Sequence, residues 1–442
     1  MPNQLLTISD ITNEGLMILE NELVLTDKIN REYDDRFGVD GAKIGYTVNI
    51  RKPARFTVSG GPALSVQDFV ETSVPVSLTN QAHVDTQFIT SDLLLSMDMF
   101  SKRVLKPKIA ALANSVDYFV AQTMKNNTAN IVGTAGTLPT TTAPFLQAGA
   151  VLDTEAAQRD GDRYLVQDQT TNASMTGGLQ GLFNPQAQIG EQYKKGMVAR
   201  ETLGANWYMD QNINYQTFAA KAGTPVFSTA NASTALLTTG WADKGTLYTT
   251  GWTASTAVLN VGDTFSIGSG ATAVYMANPQ NRAGTSQLRT FVVVPPVGTP
   301  AFGTFTPTTD VFGNVVGGVY TADGSGRLSV TIAVAIISGG QFQNVSQAPT
   351  NGASINMTNS TAGALTGPQN LLFHKDSFTF VSADLPLPGG VDMAARAAHK
   401  DVGVSMRIVR QYTINNDALP TRIDILYGVA PLYRELSCRV TG

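Results

Sequence analysis

One cysteine and three histidines stand among 442 residues, and that scarcity removes whole classes of chemistry. Cys438 alone cannot form an internal disulfide framework or a thiolate metal site, and reads as a small residue of a C-terminal strand. His83, His374 and His399 are dispersed, none at metal-ligand spacing with another. Charge is scarce as well: 14% of residues are Asp, Glu, Lys or Arg, against the usual quarter or so. With a formal net charge of −4, the chain has no basic field with which to hold nucleic acid. No apolar run approaches the ~20 residues of a membrane-spanning helix; "TIAVAII" at 331–337 is a buried strand at most. The opening "MPNQLLTISDITNEG" lacks the basic flank and apolar run of a signal peptide, so a soluble chain made in a cytoplasm is expected. There is no G-x-x-x-x-G-K-[ST], no strand-linked G-x-G-x-x-G and no G-x-S-x-G elbow. Asp34 and Asp35 are adjacent, whereas paired catalytic carboxylates must oppose each other. The residues point to no enzyme and no cofactor.

What fills the gap is Gly, Ala, Ser, Thr, Asn and Gln, beside a normal hydrophobic content of 43%. That composition is β-rich, and the length suggests two or three domains. The stretch 46–58, "YTVNIRKPARFTV", alternates with period two. Tyr46, Val48, Ile50, Ala54, Phe56 and Val58 fall on one face with Lys52 intruding, and Thr47, Asn49, Arg51, Pro53, Arg55 and Thr57 on the other. A second alternating arm covers 74–90, after a loop opened by Gly60-Gly61-Pro62. An arm of ~13 residues reaches about 43 Å, and a lone two-stranded ribbon is marginal in water. This ribbon therefore reads as an intersubunit arm. Arg51 and Arg55, ~13 Å apart on one strand face, could grip two separate carboxylates; the alternative is a merely solvated face.

Residues 1–45 carry a weak helical pattern and much of the acid, Asp34 and Asp35 included. The apolar steps over 92–126 predict a long helix of ~50 Å, kinked at Pro107. A helix over 145–159, a strand at "RYLVQ", a short helix within 182–196 and a strand at 205–213 follow. From 224 to about 370 the charged residues are Asp243, Lys244, Asp263, Arg282, Arg289, Asp310, Asp323 and Arg327 alone, and short β-branched runs recur between Gly, Asn and Pro turns. That pattern predicts an inserted small β-barrel or sandwich. A two-arm pattern, "SMRIVRQYTI" and "TRIDILYGVAPLYRELSCRV", closes the chain.

This order, with "LFNPQ" at 182–186, "ANWYMDQN" at 205–212 and "TRIDILYGVAPLYRE" at 421–435, resembles the tailed-bacteriophage major capsid proteins of the Hong Kong 97 fold. Among them it is most similar to the coat proteins of the short-tailed Salmonella phages, which carry an inserted β domain. The resemblance implies an α+β chain with an N-terminal arm (1–45), an extended β-loop (46–90), and a spine helix with peripheral domain (91–150). It further implies an axial domain (151–223), an inserted barrel-like domain (224–370), and an axial return with peripheral hairpin (371–442). It implies pentamers and hexamers of an icosahedral shell, formed first as a procapsid around scaffolding protein, with a portal at one vertex. Double-stranded DNA, driven in by a motor, would be enclosed without specific binding. Arg51, Lys52 and Arg55 would then meet a neighbour's acids, Asp34 and Asp35 among the candidates, in a shell assembled in the host cytoplasm. Some shells of this fold join a loop lysine to a hairpin asparagine; Lys52 is mid-strand, and no such bond is expected here. Two other readings fit parts of the sequence: an encapsulin-type bacterial compartment shell, and a β-rich glycan-binding virion protein.

Overall fold

The computed structural model describes residues 8–34, 47–89, 105–179, 204–231, 233–399, 403–415 and 418–442. The chain divides into two compact units, one of residues 1–50, 73–121 and 378–430, the other of 51–72, 122–377 and 431–442.

The first unit is a mixed sheet faced by helices. Its strands run in the order Asn30–Asp34, Phe378–Ala383, Ala418–Pro431, Val404–Arg410, Met393–His399. Helix α1 (Ile8–Glu22) packs on the last two strands. The approach is close at Gly15, where a Cβ would stand 2.8 Å from Met406 Cε. The described part of helix α2 is Lys106–Asn127; residues 91–104 lie outside the described residues, and the kink expected at Pro107 falls at that border. Ile109, Leu112, Val116 and Val120 repeat at helical spacing and are buried, as the apolar period dictates. The expected second arm of the ribbon, 74–90, is two strands. Thr72–Ser77 pairs with Thr47–Lys52, while Asn80–Ile89 lies antiparallel along Ala418–Tyr427 and belongs to the sheet.

Two buried aspartates of this unit, Asp117 and Asp424, find their partners within it. Asp117 of α2, 1% exposed, accepts hydrogen bonds from the backbone N–H of Val24 (2.7 Å), Leu25 (3.3 Å) and Thr26 (3.0 Å), and from the Thr26 hydroxyl. One carboxylate thereby satisfies the donors of the turn that follows α1. Buried Asp424 is held by Arg407 Nε at 3.0 Å and Gln81 Nε2 at 2.8 Å.

The second unit combines a five-stranded sheet with a barrel. The sheet order is Asn130–Val132, Ser437–Val440, Asn370–His374, Arg163–Gln167, Asn206–Met209. Helix α3 (Ala143–Thr154) covers it with Phe145, Ala148 and Leu152 against Leu165, Trp207 and Cys438. Cys438 is the buried strand residue expected, its thiol pushed up to about 12 by burial. Helix α4 (Gln169–Leu179) follows, and the segment "LFNPQ" lies outside the described residues.

The charge-poor stretch forms a six-stranded antiparallel sheet ordered Ile355–Met357, Thr264–Ile267, Thr290–Val293, Leu328–Ala333, Gly245–Trp252, Gly223–Phe227. Its two edges meet: Phe227 N donates to Ala353 O at 2.8 Å, and Gly352 N to Phe227 O at 2.9 Å. The sheet therefore closes on itself, which removes its free edges. Phe227, Leu247, Phe265, Phe291, Val330 and Ile332 fill the interior. A polar knot joins the barrel to the five-stranded sheet. Lys125 Nζ donates to Gln216 Oε1 at 2.7 Å, Gln216 Nε2 to Asp263 Oδ1 at 3.0 Å, and Arg439 Nη1 to Gly262 O at 2.8 Å. Gly262 has φ +90° and a Cβ there would lie 2.7 Å from Gln216 Oε1, so backbone and space both require glycine. Burial pushes Asp263 up to about 6 and Lys125 down to about 8.

Candidate assembly interface

The ribbon does not keep the period that its sequence suggests. From Thr47 to Lys52 exposure alternates, with Val48, Ile50 and Lys52 half-buried and Asn49 and Arg51 exposed. Pro53 has no N–H to give to a ladder and the strand stops there. Ala54 and Arg55 are both half-buried, after which the faces are exchanged: Thr57 turns inward, Phe56 and Val58 outward. A slip of one residue moves every later side chain to the opposite face. The apolar face predicted for Phe56 and Val58 is thus the exposed one.

The slip separates the three cations. Arg51 stays in solvent, 81% exposed, with Glu71 of the returning arm at 3.5 Å. Lys52 reaches the body of the second unit, its Nζ 4.9 Å from the ring centroids of both Trp241 and Tyr433. Two aromatic faces hold a cation here, and burial lowers its pKa against the pull of Glu435 and Asp243. Arg55 Nη2 donates to Glu435 Oε1 at 2.7 Å. Burial alone would raise the Glu435 carboxyl, but Arg55 and then Lys52 outweigh it and hold it below the usual value.

Glu435 sits on a short turn, Arg434–Leu436, which is fixed from several sides. Leu432 and Tyr433 both donate their N–H to Ser377 O, at 2.9 and 3.0 Å. Fully buried Arg434 clasps both carboxylate oxygens of Asp243 at 2.9 and 2.8 Å and also donates to Asn127. Behind the turn Arg289 pairs with Glu155, both buried. There burial outweighs the guanidinium, with Glu435 adding to it, and pushes Glu155 up to about 7. A cavity of about 40 Å³ lies among Lys52, Arg55, Glu155, Trp241, Arg289 and Glu435.

Beyond this seat the chain runs out and back as an extended loop. A side-chain clamp holds its two limbs: Thr57 N donates to Gln67 Oε1 at 2.8 Å and Gln67 Nε2 returns to Thr57 O. Phe56 and Phe69 meet at 6.2 Å. The remaining apolar side chains have no cover: Val58 is 100% exposed, Leu64 91% and Val66 81%. Burying each would be worth roughly 1.5–3 kcal/mol, and large apolar side chains left bare together on one loop are the kind of surface that interaction sites use.

Asp34 ends the Asn30–Asp34 strand, parallel to Phe378–Ala383; its side chain and Asp35 lie outside the described residues. Of the histidines, His83 lies 3.0 Å from Asp85 and His374 3.2 Å from Asp160. Among the described residues no His, Cys, Asp or Glu cluster has metal-site geometry, and no helix is long and apolar enough to cross a membrane. Sequence reasoning missed Trp241, Tyr433 and Glu435, yet a signal was present. In a stretch with eight charges, Asp243, Arg282 and Arg289 all come to this seat or its rim, and a charge kept in so neutral a segment has a partner to meet.

The chain belongs to the P22 coat protein family (P22 coat protein, gene protein 5), which it matches over residues 19–437, and is a major capsid protein of a tailed bacteriophage. Solved structures to which it is similar include that from Mycobacterium phage Che8 (11% identity, 95% of this chain and 90% of that one, TM-score 0.42). The asymmetric unit of the bacteriophage PhiM1 mature capsid gives 10% identity, 95% and 86% coverage, and a TM-score of 0.38. The virus-like particle from Pyrococcus furiosus gives 7% identity, 80% and 96% coverage, and a TM-score of 0.26. No curated protein matches the chain.

Proposed function

We propose that this coat protein assembles with copies of itself into an icosahedral shell of pentamers and hexamers with the Hong Kong 97 architecture, and that its extended loop is the arm that lies on a neighbouring subunit. The observation that carries this is the row Val58, Leu64 and Val66, bare at the end of a loop whose root is fixed. Arg51, left exposed by the slip at Pro53, is the cation available to a neighbour's acid, with Asp34 and Asp35 of the N-terminal arm as candidates. Lys52 and Arg55 act one step back, by holding the root. The 224–370 barrel is an insertion in the axial domain, and 404–427 a peripheral hairpin. The shell forms first as a procapsid around a scaffolding protein in the host cytoplasm, with a portal at one vertex, and expands as double-stranded DNA enters. A net charge of −4 suits a wall that encloses DNA without gripping it.

Electron microscopy and sedimentation of the expressed chain test this reading. Closed shells are expected from the native chain, and soluble, folded, unassembled subunits from Leu64→Ser with Val66→Ser. Shells of normal yield from that double variant would remove the loop from the interface.

A further inference from the structure

The root of the loop is gripped from two sides, and one side belongs to the barrel. Trp241 lies in the connection between Leu236–Leu237 and Gly245–Trp252, and covers Lys52. The turn 278–283 reaches the loop just beyond the proline: Arg282 Nη2 donates to Phe56 O at 3.3 Å. That turn is stiff. Asn278 Oδ1 accepts from Gln280 N at 2.9 Å, Asn278 O accepts from Arg282 N at 2.9 Å, and Arg282 itself takes φ +60°. It is also tied to the end of α3, since Asn278 Nδ2 donates to Thr154 O at 3.2 Å. The other side of the grip is the C-terminal turn with Tyr433 and Glu435. The loop is thus held at Lys52, Arg55 and Phe56, three points in five residues, immediately where its strand has ended. Past Phe56 the described contacts of the loop are its own, through Gln67 and Phe69.

We propose that the barrel sets the direction in which the loop leaves the body, with Trp241 and Arg282 as the positioning residues. The inference rests on the reading of the loop as the intersubunit arm and deepens it. A rigid arm that meets its neighbour at one angle fixes the curvature of the shell, whereas an arm free to swing at Lys52–Phe56 admits several. The barrel would therefore act on shell size through the root of an arm that it does not extend, in addition to any contact that it makes itself.

Limited trypsin digestion of the full-length unassembled chain, mapped by mass spectrometry, reads the grip. Trypsin passes Lys52, which precedes Pro53, but can cut after Arg55 once that residue is undocked. Lys52→Met removes the cation from between the rings, and Arg282→Gln removes the guanidinium from the Phe56 carbonyl; neither touches the barrel interior. Each is expected to speed cleavage after Arg55 about tenfold, the change that losing one desolvated cation–π or charged hydrogen bond brings to a local opening equilibrium. Cleavage after Arg327, on the separate turn that Asp323 closes, should keep its native rate and serves as the control. Shells of both variants should spread over several diameters in electron micrographs. Native cleavage at Arg55 in both variants would overturn the proposal, as would single-sized shells despite faster cleavage. Because the digestion needs no assembly, its outcome is independent of whether the native chain forms shells, so the two readings fail separately.

Discussion

Arg55 and Glu435 lie 380 residues apart in the chain and 2.7 Å apart in space. The pair is half-buried, with 30% and 18% of the two side chains exposed, whereas Arg51, four residues before, is 81% exposed. Cations four residues apart therefore have unequal weight. Arg55→Gln should lower unfolding free energy by about 1–3 kcal/mol, because it leaves a carboxylate in a desolvated seat without its partner. Arg51→Gln should stay within about 0.5 kcal/mol of the native chain. Denaturant unfolding checks both, and equal losses would contradict the separation. Arg51→Glu should keep the subunit folded while reducing shell yield.

Asp117 makes a sharper case. Its carboxylate gathers donors from three consecutive residues that leave α1, and it is buried. Asp117→Ala strands these buried N–H groups and should cost about 2–4 kcal/mol, with Asp117→Asn intermediate, since one amide oxygen replaces two charged ones. Hydrogen exchange should show residues 24–26 opening in both variants. Unchanged protection there would mean that the turn is held by something else.

The seat also predicts a pH dependence with a definite sign. Glu155 is raised from 4.5 to about 7, chiefly by burial. A carboxyl raised on folding stabilises the native state in its protonated form. Its contribution is complete below the unfolded value, falls as pH climbs from about 4.5 to about 7, and is gone above that. Glu155→Gln keeps a neutral acceptor for Arg289, so it should remove this slope. The stability difference between variant and native chain should shift in the variant's favour by on the order of 2–3 kcal/mol between pH 4.5 and 8. A difference that is flat with pH would place the titration elsewhere. Glu435, held low by Arg55 and Lys52, works in the opposite direction, its contribution being lost as pH falls.

The barrel should fold alone. Its interior closes with residues of 219–357, and Lys221 N donates to Thr361 O at 2.8 Å where the two ends of the segment meet. A fragment of residues 219–361 should give dispersed amide proton signals and a cooperative melt, and Phe291→Ala should cost it about 3–5 kcal/mol. Collapsed dispersion would show that the barrel needs the sheet to which Arg439 and Gln216 tie it.

Composition and period carried much of the fold. The Leu and Val spacing of α2, the "RYLVQ" strand, the closing strand pair and the β-rich character of 224–370 are all local patterns, since apolar period alone decides which face an element can bury. The same logic failed at Pro53. Alternation can be counted through Pro53 on paper, but the strand stops there, and the slip that follows turned Arg55 inward and Val58 outward. It also failed over 74–90, which reads as one alternating run and is divided between two partners, because period says which face is apolar and nothing about what will cover it.

What the sequence determined by itself, then, was the kind of elements and the scarcity of cysteine, histidine and charge. What the tertiary structure decided was the fate of the charges. Lys52, Arg55, Asp243, Arg282, Arg289 and Glu435 come from separate stretches of chain, and no spacing rule connects them. A charge can be buried only where partners from elsewhere offset its lost hydration, and those partners become neighbours only when the barrel, the C-terminal turn and the root of the loop close on one another.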